Sequence, residues 1–325
     1  MQILNSQNTN PYFNIATEEY LFKHQAGNFF FLYRNKPSVI IGKHQNTYNE
    51  INPDYIFENN TAVIRRLSGG GAVYHDSENI NFSFIINKEG KNLVDFKKHI
   101  RPFYDLLLQL NVEVTLSKRN DLFIGKNKIS GNAEHVVKNR ILHHGTILFN
   151  TNLKNLKNAL NVNSGIYKSR AINSVRNPVD NVSHYLKNSM SIEKFSELML
   201  DKIQNENPGS QAFYLNNVEI KFIENLVDTK YSSWKWNYAY SPDFEFNNSI
   251  ILNKKSFSIK LKIMKGTIKN VFIETEILTG LESKQLKELL LNEKYYYPIL
   301  KEKLVNLTLN KNINQAIFGA IFGTI

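Results

Sequence analysis

The stretch Arg65-Arg66-Leu67-Ser68-Gly69-Gly70-Gly71-Ala72-Val73-Tyr74-His75-Asp76 carries the densest set of groups able to do chemistry. Three consecutive glycines weaken any helix or strand built through them. In exchange they let the main chain approach a ligand and aim its N–H groups at it. Two arginines before them and a serine beside them suit an anionic ligand, because guanidinium groups donate paired hydrogen bonds to carboxylate or phosphate. His75-Asp76 has the residue types of a general base with its orienting carboxylate. Sequence neighbours rarely bond in that way, so a ligand-contact or loop-fixing role fits the pair equally well. The loop lacks the Gly-Lys-[Ser/Thr] spacing of a Walker A loop and does not open a helix in a dinucleotide-binding pattern.

Further chemistry lies downstream. Lys128 starts a strand beside the small-residue run Ser130-Gly131-Asn132-Ala133, which leaves room for a ligand against the backbone. A lysine is a mobile point charge, suited to an acyl oxygen and a phosphate oxygen that both carry negative charge. Asn120-Asp121 precedes a short strand, where Asp121 is placed to hold a metal or a ribose hydroxyl, or simply to make a turn. His143-His144 lies in an apolar strand, and adjacent strand residues face opposite sides. The two cannot both reach one ion, which argues against zinc held by the pair.

The bulk composition narrows the class. At 325 residues the chain can build one large core, or a main domain with a smaller companion. Apolar residues at 42% and charged ones at 21% are ordinary for a globular protein. Cysteine is absent, which excludes disulfides, thiolate-ligated metal and a cysteine nucleophile. A net charge of +11 and a pI near 9.4 favour acidic partners. The lysines are scattered rather than blocked, however, so neither nucleic acid nor a membrane is an expected partner. The N-terminus lacks a signal-peptide pattern and no apolar run reaches membrane-span length, so the expected location is cytoplasmic.

The elements that must position these groups read as a mixture of helices and strands. Asn10-Pro11 opens a helix running to Phe22; Phe29–Tyr33 and Ser38–Ile41 read as adjacent strands; Thr61–Ile64 and Ile80–Ile86 read as strands flanking the glycine loop. Leu93, Phe96, Ile100, Phe103, Leu107 and Leu110 fall on one side of a helix interrupted by Pro102. Strands follow near Val112–Thr115, Asp121–Ile124 and Lys128–Val137, with a hairpin at Gly125-Lys126, and again at Ile141–Phe149. Short helices are expected over Leu153–Leu160 and from Ser191. Residues 161–186 lack periodicity, and a loop that long in a compact domain is usually functional. After Asp243 the pattern becomes a self-contained series of three strands and two helices, with a hairpin at Lys265-Gly266. Residues 1–243 and 244–325 are therefore the expected domains.

Several motifs together resemble those of lipoate–protein ligases, in that family's order. They are Arg66–Asp76, Asn120-Asp121-Leu122, Lys128-Ile129-Ser130-Gly131-Asn132-Ala133 and His143-His144-Gly145-Thr146. Asn14–Glu19, Gly42–Asn46 and Ile172–Arg176 are also similar, and Trp234 and Trp236 with the strands after them resemble the family's C-terminal accessory domain. The resemblance implies an α+β fold: a large mixed β-sheet catalytic domain flanked by helices, with a smaller α+β C-terminal domain.

It also implies a reaction. Lipoate and ATP, with Mg2+, would form lipoyl-AMP, and the lipoyl group would pass to a lysine of a carrier domain, either a 2-oxoacid dehydrogenase E2 or a glycine cleavage H protein. By the same resemblance, Lys128 is the catalytic contact to acyl carbonyl and α-phosphate. Arg66, Ser68, Gly70, Gly71, His75 and His144 fall on lipoate-side positions. Gly71, Ala72, Tyr74, Asn120, Asp121, Lys128 and Ala133 fall on nucleotide-side positions, with Asp121 the metal contact. The loop Ser164–Val179 would close over the adenylate. Asn132 stands where the family often has a small residue, which would narrow the pocket. The rival within the same fold moves acyl groups between carriers without ATP, but those relatives typically use a cysteine. A biotin ligase is disfavoured because its Gly-Arg-Gly-type loop is missing.

Overall fold

The computed structural model describes every residue except 89–95, 119, 161–166, 306, 308–309 and 325. Leu93 of the expected helix and Ser164 of the expected closing loop lie outside the described residues. The strands begin with β1 Gln2–Asn5, β2 Phe29–Tyr33, β3 Ser38–Ile41, β4 Ala62–Arg65, β5 Val73–His75 and β6 Asn79–Asn87. They continue with β7 Val114–Leu116, β8 Leu122–Ile124, β9 Asn127–Val137, β10 Arg140–Leu148 and β11 Tyr167–Ser169. The last four are β12 Gln211–Ala212, β13 Phe244–Leu252, β14 Lys255–Met264 and β15 Thr267–Thr275.

Eight strands form one mixed sheet in the order β12-β1-β2-β6-β10-β9-β8-β7. Its β1 pairs parallel to both neighbours, and the remaining pairs are antiparallel. Strand β2 shows why the sheet is central: all five of its residues are buried, as expected of a strand covered on both faces. Its side chains alternate between two cores. Phe30 and Leu32 join Ile100, Phe103, Phe195 and Met199 from the helices Phe96–Gln109 and Ile192–Glu206. Phe29, Phe31 and Tyr33 join Ile15 and Leu21 from the helix Pro11–His24 and Ile40 and Ile64 from a small sheet ordered β4-β3-β5.

Some expectations change here. Phe29–Tyr33 and Ser38–Ile41 are consecutive but belong to different sheets, because Asn35-Lys36-Pro37 carries the chain from one layer to the next. Pro102 neither stops the helix nor starts a second one: Phe96–Gln109 runs through it. Val73–His75, read as part of the loop, is a strand pairing antiparallel with β3.

The C-terminal sheet, β11-β13-β14-β15, is not self-contained, because its edge strand β11 comes from residues 167–169. Three helices complete this part, Gly280–Leu290, Tyr297–Val305 and Lys311–Phe322. Its apolar face packs against Val39, Ile41 and Tyr48 beside the small sheet, in one continuous core with Phe246, Leu261 and Phe322. No described helix is long and apolar enough to cross a membrane.

Arg65 ties these parts together. Its side chain is fully buried and donates to the carbonyls of Gly42 (2.9 Å), Gln45 (2.8 Å) and Trp236 (3.1 Å), and to the hydroxyls of Thr47 (2.6 Å) and Ser241 (3.0 Å). Burial lowers its pKa to about 10, so it stays a cation at neutral pH. It is therefore an internal clamp and not a ligand for an anion in solution. Replacing it with methionine leaves those acceptors buried without donors, a loss of about 3–5 kcal/mol. Urea unfolding of Arg65→Met checks this: the expected result is a clearly lower midpoint, and a cost below about 1 kcal/mol would show that the acceptors find other donors.

Candidate active site

Arg66, one residue on, points the other way, into the glycine loop. Its guanidinium donates to the carbonyls of Ile40 (3.0 Å), Gly69 (2.6 Å) and Gly71 (2.8 Å) and to Ser68 Oγ (2.9 Å). The loop is thus wrapped around a buried cation, whose pKa burial lowers to about 10. Gly70 has φ +89°, a conformation that side chains rarely adopt. A Cβ on Gly42 would lie 2.1 Å from the Gly70 carbonyl oxygen, so these two segments meet only because Gly42 lacks one.

Behind the loop runs a chain of buried polar groups. Ser68 Oγ lies 2.6 Å from His144 Nε2, and His144 Nδ1 lies 3.0 Å from Glu18 Oε2. Glu18 also accepts from the Tyr33 hydroxyl (3.0 Å) and the Ser83 hydroxyl. Burial works against its charge, but His144 and these donors outweigh it, and the net pKa is lowered. The carboxylate therefore accepts a hydrogen bond from the Nδ1–H of His144, leaving Nε2 to face Ser68. The order resembles a nucleophilic triad, yet Ser68 is wholly buried and its oxygen already accepts from Arg66. The chain positions Arg66; it has no room to attack a substrate.

His75 is buried with its Nδ1 3.1 Å from Asn35 Nδ2, an amide that can only donate. Burial, then the charges of Arg66 and His144, push its pKa down to about 3. Asp76 does not orient it: its carboxylate accepts the backbone N–H of Glu78 (3.0 Å) and Asn152 (2.9 Å). Of the two roles open to the pair, the structure realises loop fixing by Asp76 and a neutral imidazole on the cavity wall.

Opposite the loop, Lys128 Nζ sits 2.8 Å from Asp121 Oδ2, and a Cβ on Gly131 would come within 3.4 Å of that Nζ. The segment after β11 closes the remaining side. The Lys128 N–H donates to the Pro178 carbonyl (2.8 Å), and the Ala72 N–H donates to Ser174 Oγ (2.9 Å). Ser174 is held in turn by Glu50 (2.5 Å), whose pKa burial raises. Between these walls lies a cavity of about 530 Å³, within the range of small-molecule sites. Ile15, Ile40, Val73 and Phe123 give it an apolar side.

Arg66, Gly70, Gly71, Ala72, His75, Asp121, Lys128, Ala133 and His144 all line this cavity. Three expected residues do not. Ser68 stands one layer behind, as described. Tyr74 turns into the apolar core beside Val39 and Ile41, because β5 alternates and sends Val73 and His75 to the cavity instead. Asn120, at φ +61°, contributes its carbonyl to Asn132 Nδ2 (2.8 Å) rather than its side chain to the cavity. That bond turns the Asn132 amide back over Gly145, where any Cβ would lie 2.1 Å from Asn132 Oδ1. The sequence reading includes Glu18 only within the Asn14–Glu19 motif and misses Glu50; two consecutive acids in an otherwise apolar stretch of the helix Pro11–His24 were the available signal for the first.

His75 offers a pH test. Its folded pKa lies below its ordinary value of 6.5, so its contribution to stability is complete above 6.5 and drains as pH falls toward about 3. Between neutral pH and about pH 4.5 the loss attributable to this group is about 2 kcal/mol. Urea midpoints of wild type and His75→Gln at both pH values should show a shallower pH slope in the variant. Identical slopes would mean that His75 is not held neutral by the fold.

Comparison with known proteins shows the family of the chain. Residues 10–204 match the lipoyl protein ligase A/B catalytic domain, and residues 241–321 match the bacterial lipoate protein ligase C-terminus. Lipoate–protein ligase 1 of Staphylococcus aureus is 40% identical over 273 residues, 83% of each chain. The crystal structure of P. falciparum LipL1 in complex with lipoate superposes with a TM-score of 0.62 at 26% identity, covering 99% of both chains. A lipoate-protein ligase A structure bound with ATP gives a TM-score of 0.62 at 25% identity, covering 73% of this chain and 97% of the other. A loop wrapped on a buried arginine, a lysine facing it and a cavity between them thus occur in a chain that belongs to the lipoate–protein ligase family, the ATP-dependent enzymes that attach lipoate to protein.

Proposed function

We propose that lipoate and ATP meet in the cavity between the glycine loop and Lys128, and that the lipoyl group leaves it on a lysine of a carrier domain. The observation that supports this reading is that Lys128 lines one cavity with Gly70, Gly71 and Ala72, in a loop whose Gly69 and Gly71 carbonyls are held by a second cation, Arg66. Two anions must approach each other in the first step, and fixed positive groups offset their repulsion without reorganising. A lipoate carboxylate oxygen attacks the α-phosphorus, the bond from that phosphorus to the bridging oxygen breaks, and pyrophosphate departs. In the second step a lysine amine of the carrier attacks the acyl carbon, the carbon–oxygen bond to AMP breaks, and the amine gives up a proton.

Lys128 contacts the acyl carbonyl and α-phosphate oxygens in this reading, and Arg66 keeps the loop open at the carboxyl end. To do so, Lys128 swings from Asp121, 2.8 Å away, toward the phosphate. The freed Asp121 carboxylate fits Mg2+, which takes one or two carboxylates together with phosphate oxygens and neutralises charge on the phosphates when bound. The apolar wall of Ile15, Ile40 and Val73 suits the lipoyl tail. Ile172, Ser174 and Val175 shield the anhydride from water. We assign substrate chemistry to residues 1–243, an accessory role to 244–325 and the reaction to the cytoplasm. The carrier is a lipoyl domain of a 2-oxoacid dehydrogenase E2 or a glycine cleavage H protein. Acyl exchange between carriers without ATP fits less well, since the chain has no cysteine to carry the group.

Incubating a purified lipoyl domain with the chain, ATP, Mg2+ and lipoate should raise its mass by one lipoyl group, read by mass spectrometry. Lys128→Ala should slow that gain by about 100-fold or more. Modification at the native rate by the variant would remove Lys128 from the chemistry.

A further inference from the structure

On the far face of the large sheet a second cluster of ligand-type side chains is buried. His143 and His144 are neighbours in β10, so His144 faces the cavity while His143 faces the helix Phe96–Gln109. Glu134 stands directly across from His143 in β9, and His99 comes down from that helix. His143 Nδ1 is 2.7 Å from Glu134 Oε1, and His99 Nδ1 is 3.8 Å from the same oxygen. The imidazole rings lie 5.0 Å apart. The side chains of His99, Glu134 and His143 are 7%, 3% and 0% exposed.

Among the described residues three polar atoms here are buried without a hydrogen-bond partner, His99 Nδ1, Glu134 Oε2 and His143 Nε2; of these His99 Nδ1 is a ligand atom in the arrangement below, whereas His143 turns its other nitrogen, Nδ1, to Glu134. Orphaned groups in an apolar setting are costly, and each calls for a reason. Phe84, with its ring 5.2 Å from that of His99, and Phe82, 6.2 Å from that of His143, are the aromatic neighbours of the cluster.

We propose that His99, Glu134 and His143 form a binding site for one zinc-class divalent transition-metal ion. One ligand atom from each of the three lies within 4.8 Å of the others. A tetrahedral zinc centre with bonds near 2.0–2.2 Å needs ligand atoms about 3.3–3.5 Å apart. Two of the three separations, 2.7 and 3.8 Å, bracket that value and the third is within 4.8 Å, so side-chain rotations would bring the three atoms to it. Two imidazoles and one carboxylate suit zinc or cobalt; Mg2+, which prefers oxygen donors and keeps its waters, does not fit this set. The ion is separate from the metal that accompanies ATP. It pins the helix to β9 and β10 at Glu134 and His143, whose sequence neighbours Ala133 and His144 line the cavity on the opposite face. Its role is to brace that wall.

Chelator-stripped full-length protein titrated with Co2+ tests the site through the visible d–d bands of tetrahedral cobalt. The expected result is one equivalent bound, displaced by equimolar Zn2+ and untouched by a large excess of Mg2+, with a higher thermal midpoint for the zinc form. His99→Gln and Glu134→Gln, checked for native circular dichroism, should lose the bands. Zinc-edge anomalous diffraction of wild-type crystals, which needs no variant, should place one peak among the three side chains. No cobalt bands at stoichiometric metal, bands that persist in both folded variants, or an anomalous map empty at this position would each overturn the proposal.

Discussion

A guanidinium cation buried almost completely holds the cavity wall in shape. Moving Arg66 out of water costs several kcal/mol, and its bonds to Ile40, Gly69, Gly71 and Ser68 offset that only because all of them are made together. Three glycines would otherwise sample many conformations, at about 0.5–1 kcal/mol of extra backbone entropy each. Wrapped around Arg66, they are ordered before any substrate arrives, and ordering at the moment of reaction is what a preorganised site avoids. The buried series Ser68, His144 and Glu18 then holds Arg66 in one orientation.

Strand alternation explains how one chain segment serves two tasks. At the end of β4, Arg65 and Arg66 are chemically identical neighbours with opposite fates: one clamps residues 42–47 to 236–241, and the other shapes the loop. In β10, His143 and His144 divide likewise between the helix face and the cavity. The large sheet is thus a partition, with the cavity on one side and a core packed against helices on the other. The small sheet and the C-terminal sheet share one apolar core, so the glycine loop rests on both parts of the molecule.

Much of this was legible in the residues. The glycine run, the small residues after Lys128 and the partly alternating run Ile80–Ile86 are local signals, and the structure realises them locally. The opposite facing of His143 and His144 followed from the two-residue repeat of a strand. The same repeat, applied to Arg65-Arg66 and to Val73-Tyr74-His75, would have separated Arg65 and Tyr74 from the site. What local pattern does not carry is pairing across long separations. Glu18 meets His144 126 residues away, and Glu50 meets Ser174 124 residues away. Tyr167–Ser169 leaves the first part of the chain to edge the last sheet. Such contacts depend on how the layers stack, which no window of sequence displays.

The central claim is that one pocket, with the Arg66-propped loop on one wall and Lys128 on the other, receives both the acid and the nucleotide. Crystals soaked with lipoate and ATP test it most directly. The account predicts density for an acyl-adenylate whose phosphate lies between Lys128 Nζ and the amides of Gly69–Gly71. Ligands bound elsewhere, with Lys128 still paired to Asp121 and the glycine loop bare, would contradict it.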